Sequence, residues 1–345
     1  MIISINPTIF KSTDVDVLSE LSKILNLATT ERHLVDIQSF YDCVFDNDDN
    51  YIFNDTNLSI GYFSTYNKSQ IESFFDDLME QSAYLTEIHK KYLTSISIGL
   101  GTNELSPTIA YRILNEPSKI ILENATNDWK FIKGIVEKYS NHKKRKSIYK
   151  ILQKAVENNW IEPENAGGKG QLKNRFIDLS ANRYKNIPKF KLAVIFDSDK
   201  DYNAIKDEQK KIIEFFKNKQ IQLFEEAFYE ETDRVVWHMF YKREMENYAH
   251  LDVILDNFEL TDVQNKDLKS KNPHEYDFLD FDDYLKSNED INVKNEFPEL
   301  FLKNWTKDKL EQRCEHHKVK IELPNGTLED VTEIEQILIK IAKIV

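Results

Sequence analysis

Cysteine is nearly missing from this chain: Cys43 and Cys314 are the two among 345 residues. Two thiols cannot build a disulfide framework or a four-cysteine zinc site, so a reducing, cytoplasmic setting is expected. Long apolar runs are also missing. No stretch approaches the 18 apolar residues of a membrane span, and the opening MIISINPTIF lacks a basic segment ahead of a long apolar run. Membrane and secreted readings are therefore set aside. Positive charge is in deficit, with 46 Lys and Arg against 59 Asp and Glu, a net charge of −13 that on average disfavours a polyanionic partner. Glycine and proline are scarce, eight of each. What is present is core material: 41% hydrophobic and 12% aromatic residues exclude generic disorder, and the length suits two or three domains.

The averages hide two concentrations. Between Lys130 and Lys191 stand 16 basic and five acidic residues, a local +11 that leaves −24 for the rest of the chain. Three of the eight glycines, Gly167, Gly168 and Gly170, fall within four positions of that same segment. Glycine placed so locally usually meets a backbone demand.

The pattern divides the chain into three parts. Residues 1–116 mix helical and strand signals: Val15 to Leu27 and Ser69 to Leu93 have helical apolar spacing, and YIFNDTNLSIGYFSTY suggests short strands. Residues 117–255 twice run from a short apolar strand into acids and then a helix, first in SKIILEN with NDWKFIKGIVEKY, then in KFKLAVIFDSDKDYN with a helix from about Ala204 to Asn218. A basic helix, KKRKSIYKILQKAVENNW, and two more apolar segments, IQLFEEAFY and VVWHMF, belong to the same part. Strands each followed by a helix predict a parallel sheet, whose ligands sit beyond the carboxyl ends of the strands. Residues 256–345 form an acidic, mainly helical extension, with 13 Asp or Glu against five Lys up to residue 300 and a docking helix in TEIEQILIKIAKIV.

The chemistry concentrates in carboxylates. Glu123 follows Ile120 to Leu122, and Asp197 and Asp199 follow Val194 to Phe196, so both groups should emerge at one sheet edge. If the strand runs on through Asp199, Asp197 and Asp199 share a face. Hard oxygen donors suit Mg²⁺ or Mn²⁺ rather than zinc. The alternative is that these acids cap helices, Asp128 in a first turn and Asp199 at a following one.

At these residues the chain resembles the TOPRIM domain of topoisomerases, primases and OLD-family nucleases. IILENATNDWKFI, followed about 70 residues later by VIFDSDKD, resembles its strand-end Glu and later Asp-x-Asp. WHMFYKREMENY is similar to the OLD-type stretch beyond the Asp-x-Asp strand, and AGGKGQL to the glycine-rich segment between the acidic motifs. The likeness covers residues 117–255, about 40% of the chain.

The resemblance implies a central TOPRIM-like parallel sheet flanked by helices. It makes Glu123, Asp197 and Asp199 the principal metal ligands, with Asp128 assisting and Glu246 supporting a second ion. Lys242 or Arg243 would steady charge on the phosphate. Two such ions can activate water on one side of a phosphodiester and stabilise the leaving oxygen on the other. Lys143, Lys144, Arg145 and Lys146, with Lys169, Lys173 and Arg175, are the candidates for holding a nucleic-acid backbone. The implied activity is that of an Mg²⁺- or Mn²⁺-dependent nuclease acting on DNA or RNA in anti-phage defence. A regulatory protein partner is implied too, because the OLD ATPase loop is not there: around Gly168-Lys169, Pro163 stands at the first glycine position and Gly170 at the hydroxyl position. An ATPase acting in trans is one such partner, and homo-oligomer formation is left open. The alternative is a non-catalytic TOPRIM scaffold, a binding or regulatory subunit. His316 and His317, beside Cys314 and Glu315, have no second ligand pair at zinc spacing, and His238 reads as a core residue.

Overall fold

The computed structural model describes residues 1–45, 48, 68–202, 204–218, 235–286, 291–303, 305–322 and 327–345. The strand signals at 51–66 and the apolar segment at 221–229 lie outside these residues. Among the described residues, nine strands form three sheets. A small parallel sheet of order β2-β1-β3 joins β1 (Ile2–Ile5), β2 (Leu34–Val35) and β3 (Ser95–Ile98). The central sheet has β4 (Ser118–Leu122), β5 (Ile161–Asn165), β6 (Leu192–Phe196) and β7 (Val236–Met239) in the order β5-β4-β6-β7, every pairing parallel. An antiparallel pair, β8 (Lys318–Glu322) and β9 (Leu328–Thr332), stands in the region expected to be helical. The protein is a mixed α/β structure with parallel sheets flanked by helices.

Alternation along the strands explains how the layers stack. Ile120, Leu122, Ala193 and Ile195 enter one core, with the helix Ala125–Tyr139 and the C-terminal helix Glu333–Ala342. Ile121, Leu192, Val194 and Phe196 enter another, with the helix Leu172–Ala181 and much of residues 1–45. Every residue of β6 is buried, because both of its faces are covered. The helix after β4 turns Phe131, Ile132, Ile135, Val136 and Tyr139 inward, each about 1.5–3 kcal/mol of hydrophobic stabilisation when fully buried. Gly134 on this helix lets the C-terminal chain approach, since a Cβ there would fall 2.7 Å from the Phe301 carbonyl carbon.

The expected single helix over Ser69 to Leu93 is two, Lys68–Ser82 and Glu87–Tyr92. Thr86 is extended and starts the second, its amide donating to His89 Nδ1 at 3.1 Å, so the local cap overrides continuous apolar spacing. No helix among the described residues is long and apolar enough to cross a membrane.

Candidate active site

The strand order fixes where a site can form. The chain passes from β4 outward to β5, then returns across β4 to β6 and continues outward to β7. Connections therefore diverge between β4 and β6, the switch point at which parallel sheets open a crevice beyond their carboxyl ends. Glu123 is the first residue past β4 and Asp197 the first past β6, strands paired with Ile121 opposite Val194. The two acids meet there: the Asp197 amide donates to Glu123 Oε1 at 3.1 Å.

Loops from all four strands close around this point in a cleft of about 320 Å³. After β4, Asp128 sits in the first turn of Ala125–Tyr139 and accepts from the Asn124 amide at 2.9 Å, so it serves as a helix-end acceptor and also lines the cleft. After β5, the Ala166 and Gly168 amides donate to the carbonyls of Leu122 and Glu123, which folds the glycine turn over β4 and brings Lys169 into the cleft. After β6, the strand does not run on through Asp199. Its φ of +44° is left-handed, and the Ser198 and Asp199 amides both donate to the Arg243 carbonyl at 3.0 Å. Asp199 thus reaches the cleft by a turn stitched to the β7 loop, and strand alternation has no part in it. After β7, a one-turn helix at Met245–Tyr248 presents Glu246, with Glu244 just before it.

Three charged contributors were not among the sequence candidates: Glu244, Asp282 and Lys294. Glu244 stood two residues from Glu246 in the same motif and was legible. Asp282, on the short helix Phe281–Tyr284, and Lys294, on Val293–Leu300, come from beyond residue 255, and nothing in an acidic stretch singles out one acid.

Burial governs the electrostatics. It pushes Glu123 up to about 7, against the opposing pull of Lys169 and the Asp197 amide. It pushes Glu246 to about 8, helped by Glu244, and Asp128 to about 6. Asp197 is held well above the usual carboxylate range by burial and by Glu123 and Glu246. Asp197 Oδ1 is buried without a hydrogen-bond partner among the described residues. Crowded, desolvated carboxylates with an orphaned oxygen fit a hard divalent cation, in donor type and in charge. As the side chains stand, no group of three or more His, Cys, Asp or Glu among the described residues is drawn together closely enough to hold a metal ion. The Lys169 ammonium instead pairs with Asp199.

A pH dependence follows. In the unfolded chain Glu123 and Glu246 titrate near 4.5, whereas the fold keeps them protonated to about 7 and 8. Between those values the native state binds more protons at these two groups, so the stability they contribute is fully present at low pH and is lost as pH rises through their folded values. In EDTA, urea unfolding should show stability falling on the order of 2 kcal/mol from about pH 5 to about pH 8, with saturating Mn²⁺ abolishing the fall.

The remaining candidates go elsewhere. Lys242 is buried against Asp277, which also takes Arg313 and His316, and it does not line the cleft. Arg243 is clamped between Asp201 at 2.6 Å and Asp280 at 2.5 Å. Arg145 corrects the nucleic-acid set: it is 2% exposed, pairs with Glu329 and Glu335, and donates to the Tyr92 hydroxyl at 3.0 Å, so it has no free face for a phosphate. Arg175 is taken by Glu164 and Asp178. Lys143, Lys144, Lys146 and Lys173 are exposed. The run at 143–146, however, follows the far end of the fifteen-residue helix whose first turn lines the cleft, roughly 20 Å away at 1.5 Å per residue. His238 is buried beside Glu333, and His317 stacks on Tyr241.

Compared with known proteins, the chain matches no family model, no curated protein and no solved structure.

Proposed function

We propose that this protein is an Mg²⁺- or Mn²⁺-dependent nuclease of the TOPRIM, OLD-like kind, hydrolysing phosphodiester bonds of DNA or RNA. The observation that carries the reading is the meeting of Glu123 and Asp197 at the switch point of a parallel sheet, with Asp197 Oδ1 buried and unpartnered. Glu123, Asp197 and Asp199 would hold one ion, and Asp128 with Glu246 a second. Bound there, the pair supplies an activated water and charge stabilisation for the leaving oxygen. The chain's own part is to fix these carboxylates before substrate arrives: the Asp197 amide holds Glu123, the Asn124 amide holds Asp128, and the Arg243 carbonyl holds the Asp199 turn. Lys294, its side chain 74% exposed and 3.1 Å from Asp282, stands at the mouth to receive a phosphate oxygen. With no nucleotide-binding loop of its own, such an effector fits control by a separate regulatory protein in anti-phage defence.

The test is incubation of the purified chain with supercoiled plasmid, single-stranded DNA and total RNA, with Mn²⁺, Mg²⁺ or EDTA. Cleavage of at least one substrate that EDTA abolishes is the expected result. Calorimetric binding of Mn²⁺ without any cleavage would favour the non-catalytic scaffold. Absence of both would sink the metal site itself.

A further inference from the structure

Lys169 has a placement that the nuclease reading alone does not account for. It follows two left-handed glycines, Gly167 at φ +78° and Gly168 at φ +106°, and nothing lies within 4 Å of where either Cβ would be. What these positions require is the backbone conformation, a turn that side-chain-bearing residues enter at a cost. The turn is pinned at both ends. The Gly168 amide donates to the Glu123 carbonyl at 3.0 Å, and the Gln171 amide to the Gly168 carbonyl at 3.0 Å. The Lys169 backbone is thereby fixed beside the first acid of the cleft, while four rotatable methylene bonds leave its ammonium free to move.

That ammonium rests on Asp199 Oδ2. The same oxygen accepts from Gln209 Nε2 at 2.8 Å, so Asp199 keeps a neutral donor if the ammonium leaves. The two side chains are 15% and 21% exposed, enough for water to offset part of the separation. Among the residues lining the cleft, Lys169 and Lys294 are the cations facing seven carboxylates. Lys294, paired with Asp282, lies largely in solvent, so Lys169 is the less exposed of the two.

We infer that Lys169 is a displaceable internal counter-ion. It holds Asp199 while the cleft is without a divalent cation, and when a cation takes Asp199 it swings out to the phosphate of the nucleic acid. This rests on reading the cleft as a cation site and adds to it an exchange in which one charge leaves as two arrive. A divalent ion attracts Asp199 about twice as strongly as an ammonium at equal distance, and Glu123 and Asp197 beside it add to that pull against the ion's hydration. The released lysine then carries its charge to a phosphate as a mobile point charge, a role the rigid fork of an arginine suits less well.

The test uses the full chain without substrate first. Brief labelling with an amine-reactive reagent, read by peptide mass spectrometry, is compared in EDTA and in saturating Ca²⁺ or Mn²⁺. Modification of Lys169 should rise at least severalfold with the cation, while exposed Lys143 and Lys146 stay constant as internal standards. In parallel, Mn²⁺ binding is measured calorimetrically for the wild type, Lys169→Met and Lys169→Arg. Lys169→Met should bind Mn²⁺ roughly tenfold more tightly, since its competitor is gone. It should also bind a single-stranded oligonucleotide in Ca²⁺ several-fold more weakly, and Lys169→Arg should recover only part of the oligonucleotide affinity. Should the wild type bind Mn²⁺ while Lys169 labelling stays flat, or Lys169→Met bind it no more tightly, the exchange is overturned and the cation site stands. If the wild type binds no divalent cation, both fall.

Discussion

Asp197→Asn is expected to reduce cation-dependent cleavage roughly a thousandfold or more, and to make the cation-free protein more stable. The two effects share one cause. Asp197 is buried with an unpartnered oxygen and repelled by Glu123 and Glu246, so the fold carries a carboxylate that is costly to ionise, a cost that a proton or a bound cation would relieve. The amide removes that repulsion, which should raise stability in EDTA on the order of 1 kcal/mol, measured by urea unfolding, and it also removes the ligand. A carboxylate serving only as a helix cap behaves the opposite way, losing about 1 kcal/mol on substitution and leaving activity unchanged. Asp128 combines the two roles in the same cleft, because it accepts the Asn124 amide and also lines the proposed cation site. Asp197→Asn protein that is both less stable in EDTA and fully active would remove the site as described.

Arg145→Ala should cost about 3 to 5 kcal/mol of stability while changing nucleic-acid affinity little. Arg145 is 2% exposed and ties three distant parts of the chain together: Tyr92 ahead of β3, Glu329 on β9 and Glu335 on the C-terminal helix. Its removal leaves Glu335, 9% exposed at the side chain, without that counter-ion in a low-dielectric setting. Lys144→Ala, one residue earlier on an exposed position, should leave stability within about 0.5 kcal/mol. Denaturant melts of the two variants, with oligonucleotide binding measured on the folded protein, separate the roles. Equal melts with a large loss of binding in Arg145→Ala would restore it to the phosphate-contacting set.

Much of the central architecture was legible because it rests on local rules. Short apolar runs ended by acids and followed by helical spacing predicted β4 and β6 with their helices, and parallel pairing followed from a helix coming after each strand. Where sequence reasoning failed, a local cue was overridden or absent. The apolar spacing from Ser69 to Leu93 continued across Thr86, where a cap divided it. In the pair of β8 and β9 the alternation was there to read, since Val319 and Ile321 alternate with Lys318, Lys320 and Glu322, but it spans five residues inside a stretch dominated by acidic and helical signals. Charge was the most misleading guide, since a basic run says nothing about which member turns inward: Arg145 is buried and Lys143, Lys144 and Lys146 are exposed.

By itself the sequence determined which acids stand at strand ends, Glu123 and Asp197, because a strand's terminus is set by a few neighbouring residues. It also determined that the glycine turn lies between them in the chain. Only the tertiary structure decided that β4 and β6 are neighbours with β5 outside them, that Asp199 enters through a left-handed turn held by Arg243, and that Asp282 and Lys294 complete the cleft. The reason is that a site is a set of distances between residues remote in the chain. Those distances follow from strand order and core packing, which depend on contacts no local window contains.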